Sequence, residues 1–321
     1  MKTKVLLGLL ADQRIHSGQS LAEVLGVSRT AVWKQVQRAV DRGFPIETLR
    51  GQGYRLTRAV DLLDHETIVS ALPETDRSRV SLRVFDSVNS TNAEIAEARR
   101  AGDTGILVCV ADMQSAGRGR RGRDWLSPRG ENVYASFGLT LHGGFASLDG
   151  LSLVLGIAVA EALESLGADS VQLKWPNDVL VAGAKIGGIL IELQGELEEG
   201  RVNLIAGIGL NVHMQDAPGI EQAWTSLARA FPAVTWQRNQ IIAALISAVV
   251  SATERFDAQG FEVFRERWVQ RDFLVGKALN ALGGELSGVG VGVDGQGNYL
   301  IDSNSGRQAV RAGEISLRVE S

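Results

Sequence analysis

Residues 117–125 read Gly-Arg-Gly-Arg-Arg-Gly-Arg-Asp-Trp, with Arg118, Arg120, Arg121 and Arg123 spaced by glycines and closed by Trp125. A guanidinium presents a fixed fork of donors to phosphate or carboxylate oxygens. Glycine lets the backbone approach such an anion, and an indole offers a face to a flat group. Two lysine segments follow. Lys174-Trp175-Pro176-Asn177-Asp178 ends in a carboxamide and a carboxylate, and Lys185-Ile186-Gly187-Gly188-Ile189-Leu190 starts an apolar strand with paired glycines. Taken alone, each lysine reads as a solvated strand end. Beside the arginine loop, they read as fixed charges aimed at a pocket where a ligand meets the backbone. Gly207-Ile-Gly-Leu-Asn211 adds a further glycine-lined strand end with a carboxamide.

Strands are expected at 106–111 and 132–141, one entering and one leaving the loop. Further strands are expected at 81–85, 171–175, 179–181, 185–192 and 202–211. Helices are expected at 65–72, 148–166, 237–258 and 261–269, and at 91–100 behind a capping box, Thr91-Asn92-Ala93-Glu94. From 273 on, glycine alternates with short β segments, which suggests a small barrel-like domain of about five strands. Gly117, Gly119 and Gly122 match a dinucleotide fingerprint in spacing. The loop-like run after it opens no helix, so that reading fails on context. No phosphate-loop motif is present. A nucleic-acid contact through this loop is the weaker alternative, because the loop is short and its surroundings acidic.

Charge divides the chain. Residues 1–60 hold ten Lys/Arg against four Asp/Glu, whereas the other 261 hold 23 against 33. A basic head on an acidic body points to a polyanion met by the head alone. In the head, Ser20-Leu21-Ala22-Glu23 reads as a capping box that starts a helix near Leu21, and Ser28 caps a second helix to about Val40. Ala22, Gly26 and Val32 have the spacing of a helix-turn-helix. Val27, Val32, Val36 and Val40 are expected inside. Ser28, Arg29, Thr30, Lys34, Gln37 and Arg38 are then placed to contact DNA, with Arg50 and Arg55 on a hairpin wing around Gly51-Gln52-Gly53. A basic packing module is the bland alternative. No apolar run reaches the roughly 18 residues of a membrane span. The opening segment is expected as the first helix of a domain and the location as cytoplasmic. The single cysteine, Cys109, excludes an internal disulfide and is expected as a buried structural thiol.

Ser90-Thr91-Asn92, Gln114, the arginine loop and the segments at 174–178, 185–190 and 207–211, in that order, resemble the biotin–protein ligases of the bifunctional type that also repress the biotin operon. The resemblance spans essentially the whole chain. It implies an α+β multidomain protein: a winged helix-turn-helix over 1–62, a central mixed α/β ligase domain over 63–272 and an SH3-like β-barrel over 273–321. It implies biotin and ATP, with Mg²⁺, as substrates, and biotinyl-5′-AMP formed and passed to a lysine of a biotin carboxyl carrier domain. Lys185, Arg120 and Arg118 would be the catalytic groups. Ser90, Thr91, Asn92, Gln114, Arg118, Gly119, Arg120, Lys185 and Gly188 would hold biotin. Arg120, Arg121, Arg123, Trp125, Lys174, Asn177, Lys185, Asn211 and Trp224 would hold ATP or the adenylate. No metal-ligand cluster is expected. Operator DNA would be bound through 1–62, and a homodimer would form on adenylate binding. Asparagine at position 89, just before Ser-Thr-Asn, departs from the more familiar aspartate.

Overall fold

The computed structural model describes residues 2–144, 148–198, 200–281, 286–311 and 317–319. Two compact units form: one of residues 1–62 with 129–131, the other of 63–128 with 132–321.

In the first unit, α1 (Lys2–Leu9), α2 (Gly18–Leu25) and α3 (Arg29–Asp41) precede an antiparallel hairpin of β1 (Ile46–Leu49) and β2 (Gly53–Leu56). Leu6, Leu10, Leu21, Val32, Val36 and Leu56 fill its core. Gly26 ends α2 in the left-handed region at φ 63°, and Ala22 and Val32 are buried, as the helix-turn-helix spacing requires. Ser28 caps α3 through a 3.2 Å bond from the Ala31 N–H. Two expectations shift. The cap of α2 is Ser17, whose hydroxyl accepts from the Ser20 N–H, so the helix begins three residues before Leu21. Val40 is exposed and Ala39 is buried instead, because the inward stripe continues from Val32 and Val36 to Ala39. Gly53 has no room for a side chain: a Cβ would lie 2.0 Å from the His16 carbonyl, where His16 and Tyr54 exchange backbone bonds.

The second unit opens with α4 (His65–Ala71) and α5 (Glu74–Arg77), then β3 (Val80–Phe85), α6 (Thr91–Arg100) and β4 (Ile106–Ala111). β5 (Asn132–His142), α7 (Leu151–Ser165), β6 (Val171–Lys174), β7 (Asp178–Val181), β8 (Ala184–Glu198) and β9 (Arg201–Asn211) follow. Among the described residues these strands form one seven-stranded sheet, in the order β3-β4-β5-β9-β8-β7-β6, parallel only between β3 and β4. α8 (Leu227–Ala230), α9 (Arg238–Gln259) and α10 (Glu262–Val269) come next. The main core lies between α7, α9 and one sheet face. On the other face Ile95 and Ala98 of α6 cover Leu107, Cys109 and Ile205. Alternation along β4 sends Val108 and Val110 to the first core and Leu107 and Cys109 to the second. Burial pushes the Cys109 thiol up to about 12, so it stays protonated and inert.

The chain ends in β10 (Ala278–Ala281), β11 (Ser287–Val293), β12 (Tyr299–Ser303), β13 (Gly306–Val310) and β14 (Leu317–Val319), a five-stranded antiparallel sheet among the described residues. Trp175 ties this sheet to the site. Its buried Nε1 donates to the Gly297 carbonyl at 3.0 Å and its ring lies 5.9 Å from that of Tyr299. The Tyr299 hydroxyl donates to Asp272, whose carboxyl burial raises to about 6.

Candidate active site

The arginine loop is a folded turn. Gly119 N–H donates to the Arg123 carbonyl at 2.7 Å and Trp125 N–H to the Gly117 carbonyl at 2.9 Å. Arg121 takes the left-handed φ of 58° at the tip. This geometry sorts the side chains. Arg118, Arg121 and Arg123 stand exposed, while Arg120 is half-buried and donates to Asn177 Oδ1 at 3.1 Å. Burial and the neighbouring Arg121 hold the Arg120 pKa below the ordinary guanidinium value. Asn177 is itself fixed, donating to the Ile189 carbonyl at 2.9 Å. The Trp125 ring lies against Gly209, where a Cβ would come within 2.5 Å of the indole, and its buried Nε1–H finds no acceptor among the described residues.

Lys185 reaches the same cleft. Its Nζ lies 2.6 Å from Asp178 Oδ1 and 5.6 Å from the Trp125 ring centroid. A bulge aims it there: Leu180 pairs with Lys185 but Val179 pairs with Gly187, so β8 gains one residue. Ile186 and Ile189 therefore face the core while Lys185, Gly188 and Leu190 line the cleft. The segment carrying Trp224 lies along this strand, with Lys185 N–H on the Ala223 carbonyl and Thr225 N–H on the Lys185 carbonyl. Asn211 Nδ2 holds the Thr225 carbonyl at 3.0 Å.

A chain of polar side chains forms the floor. The Thr91 N–H and hydroxyl donate to Gln114 Oε1 at 2.9 and 3.1 Å, and Gln114 Nε2 donates to Ser127. Ser136 Oγ donates to Asn92 Oδ1 and lies 2.7 Å from Thr91 Oγ1. Asn92 Nδ2 donates to Glu192 at 2.7 Å, and Arg118 meets the other Glu192 oxygen at 3.3 Å. The capping box expected at Thr91 is not used: Ser90 occupies the cap position without a side-chain capping bond, and Gln114 takes the Thr91 hydroxyl.

The cleft measures about 970 Å³, and its lining includes every residue singled out for biotin or nucleotide: Ser90, Thr91, Asn92, Gln114, Arg118, Gly119, Arg120, Arg121, Arg123, Trp125, Lys174, Asn177, Lys185, Gly188, Asn211 and Trp224. Sequence reasoning gave no role to Asp178, Glu192 or Ser136. Asp178 closes the Lys174 motif and was within reach of sequence reasoning. Glu192 and Ser136 join the site only through strand pairing. Among the described residues no cluster of three or more His, Cys, Asp or Glu could hold a metal, and no helix is long and apolar enough to cross a membrane.

On α3, Arg29, Thr30, Lys34 and Arg38 are exposed, Gln37 is half-buried and Ser28 is engaged as the cap. Trp33, not singled out from the sequence, stands 51% exposed one turn beyond Arg29. Arg50 is exposed at the hairpin turn, whereas Arg55 pairs with Glu47 at 2.6 Å across the hairpin.

Residues 84–211 match the biotin/lipoate A/B protein ligase family, and residues 2–55 match an HTH domain. The chain is 39% identical to the bifunctional ligase/repressor BirA of Salmonella typhimurium, over 98% of this chain and 96% of that protein. It is 32% identical to the Bacillus subtilis protein of the same description, over 96% and 95%. The structure resembles the biotin protein ligase of Aquifex aeolicus in complex with biotin and ATP, with TM-score 0.65, 31% identity, and 75% of this chain and 99% of that one covered.

Proposed function

The chain belongs to the family of bifunctional biotin ligase/repressors, and from that premise we propose how its cleft and its basic head divide the work. The protein is an ATP-dependent biotin–[acetyl-CoA-carboxylase] ligase and a DNA-binding repressor. In the first step the biotin carboxylate attacks the α-phosphorus of ATP. A carboxyl O–P bond forms, the bond to the β-phosphate oxygen breaks, and pyrophosphate leaves with biotinyl-5′-AMP retained. In the second, the neutral ε-amine of a carrier lysine attacks the anhydride carbonyl. A C–N bond forms, AMP leaves, and the amine proton passes to solvent.

Both steps build negative charge on oxygens, so positioned cations and donors supply the catalysis. Lys185 bridges the biotin carboxyl and the α-phosphate, with Asp178 setting its ammonium in place. Arg120 and Arg118 bring the loop over the reacting group, and Arg121 and Arg123 serve the phosphates. The floor from Ser90 to Asn92, with Gln114, Gly119 and Gly188, receives the biotin rings. Trp125, Lys174, Asn177, Asn211 and Trp224 receive the nucleotide, and the unpartnered Trp125 N–H offers it a donor. One juxtaposition carries the reading: a polar floor shares one cleft with Lys185 and Arg120, each of these cations held by its own protein partner. Mg²⁺ arrives with ATP as part of that substrate.

The same reading makes 273–321 an SH3-like third domain, 63–272 the catalytic domain and 1–62 the operator-binding domain. A biotin carboxyl carrier domain is the acceptor, the location is cytoplasmic, and the adenylate favours a homodimer that sets two helix-turn-helix units on paired half-sites. Biotin-dependent exchange of pyrophosphate into ATP tests the enzyme. Its absence, or equal exchange with lipoate, overturns the assignment.

A further inference from the structure

Arg238, the first residue of α9, is fully buried. A buried guanidinium adds little net stability even when paired, so its placement calls for another explanation. Its Nη2 donates to the Asp112 carboxylate and its Nη1 to the Asn132 carbonyl at 3.0 Å. Asp112 is the first residue after β4, where the chain leaves the sheet toward the arginine loop. Asn132 is the first residue of β5, where it returns. One side chain therefore grips both feet of the 113–131 excursion. The Asn132 side chain carries the connection further. Its Oδ1 accepts the Val212 N–H at 3.0 Å and its Nδ2 donates to Met214 Sδ at 3.4 Å. Those residues root the excursion that ends at Trp224 on the Lys185 strand. The two loops of the cleft thus rise from one buried node, in which Asp112 and Asn132 lie 126 and 106 residues from Arg238 in sequence.

We propose that Arg238 is a positioning residue for the ligase reaction: through Asp112 and Asn132 it sets the feet of both loops, so that closure of one on the adenylate aligns the other. A displacement of about 1 Å at the feet is enough to cost on the order of 10²-fold in a positioned reaction. This inference rests on the ligase reading.

The test uses the full chain and two variants. Arg238→Lys keeps a charge for Asp112 but cannot also span to the Asn132 carbonyl. Asn132→Ala leaves the Arg238–Asp112 pair and unlinks the second loop. Wild-type exchange of pyrophosphate into ATP with biotin comes first, and its failure overturns the ligase reading rather than this one. With that established, both variants should raise the KM for ATP and speed the loss of biotinyl-5′-AMP by about 10-fold or more. Retention of biotin alone should change less than threefold. Variants that melt at a lower temperature yet hold the adenylate as long as wild type would reduce Arg238 to a stabilising residue. Should Arg238→Lys not fold, Asn132→Ala carries the same readout.

Discussion

The basic head and the cleft both present clustered cations, and they are built in opposite ways. On α3, Arg29, Lys34 and Arg38 project from a regular helix into solvent. In the cleft, Arg120 and Lys185 are half-buried and each rests on a fixed partner, Asn177 or Asp178. Exposed cations suit a polymer whose phosphates repeat and whose counterions are released on binding. Held, partly desolvated cations suit a single anion at which charge develops, because donors already in place need no reorganisation. Arginine is abundant in both regions. Burial and partner geometry separate their tasks.

The most severe way to break this contrast is Lys185→Ala. Biotin-dependent pyrophosphate exchange should fall by about 10²–10³-fold with the fold intact, and non-specific DNA affinity should not change. An activity within a factor of ten of wild type would remove Lys185 from the mechanism. Next comes Lys34→Ala, which should weaken DNA binding about tenfold and reduce the slope of log K against log salt by about one. The same salt series should scarcely move the KM for ATP, whose partners are less screened. A smaller effect is expected of Trp33→Ala. Specific operator affinity should fall by about 1 kcal/mol, as for a lost apolar contact to a thymine methyl, with the salt slope unchanged. An equal fall on random DNA would make Trp33 a general contact.

The smallest effect separates the units by pH. The folded Asp272 carboxyl titrates near 6, above its ordinary 3.8, chiefly because it is buried. Its ionisation therefore opposes folding. That cost is present in full above about pH 6 and is relieved as the pH falls toward 3.8. Asp272→Asn should flatten this part of the second unit's stability profile by about 1 kcal/mol, after discounting for partial exposure. Melting of an isolated 1–62 fragment over the same range should be untouched. A melting profile of the variant that still follows wild type would assign the dependence elsewhere.

Much of this was legible from local pattern. The turn glycine Gly26, the Ser28 cap, the wing and the strands flanking the arginine loop stand where spacing put them. The misreadings arose where two local signals competed. Ser17 and Ser20 both suit a helix start, and the bond to the Ser20 N–H decides for Ser17. Thr91 has the sequence of a cap, but Gln114, 23 residues on, takes its hydroxyl. Alternation along β8 would have put Lys185 and Gly188 on opposite faces. The bulge against β7 brings them to one side.

Residue types and short-range spacing determined which groups could do chemistry here, and that a basic helix-turn-helix precedes an anion-binding body. These properties depend on periodicity, capping and charge within a few residues. Tertiary structure alone decided that Arg120 turns inward while Arg121 points out, that Asp178 faces Lys185, and that Glu192 joins Asn92 to Arg118. It also decided that Arg238 holds both feet of the arginine loop. Each is a pairing set by sheet register or helix packing, and, apart from Asp178 and Lys185, which face each other within one hairpin, these partners lie too far apart in the chain for any local rule to link them.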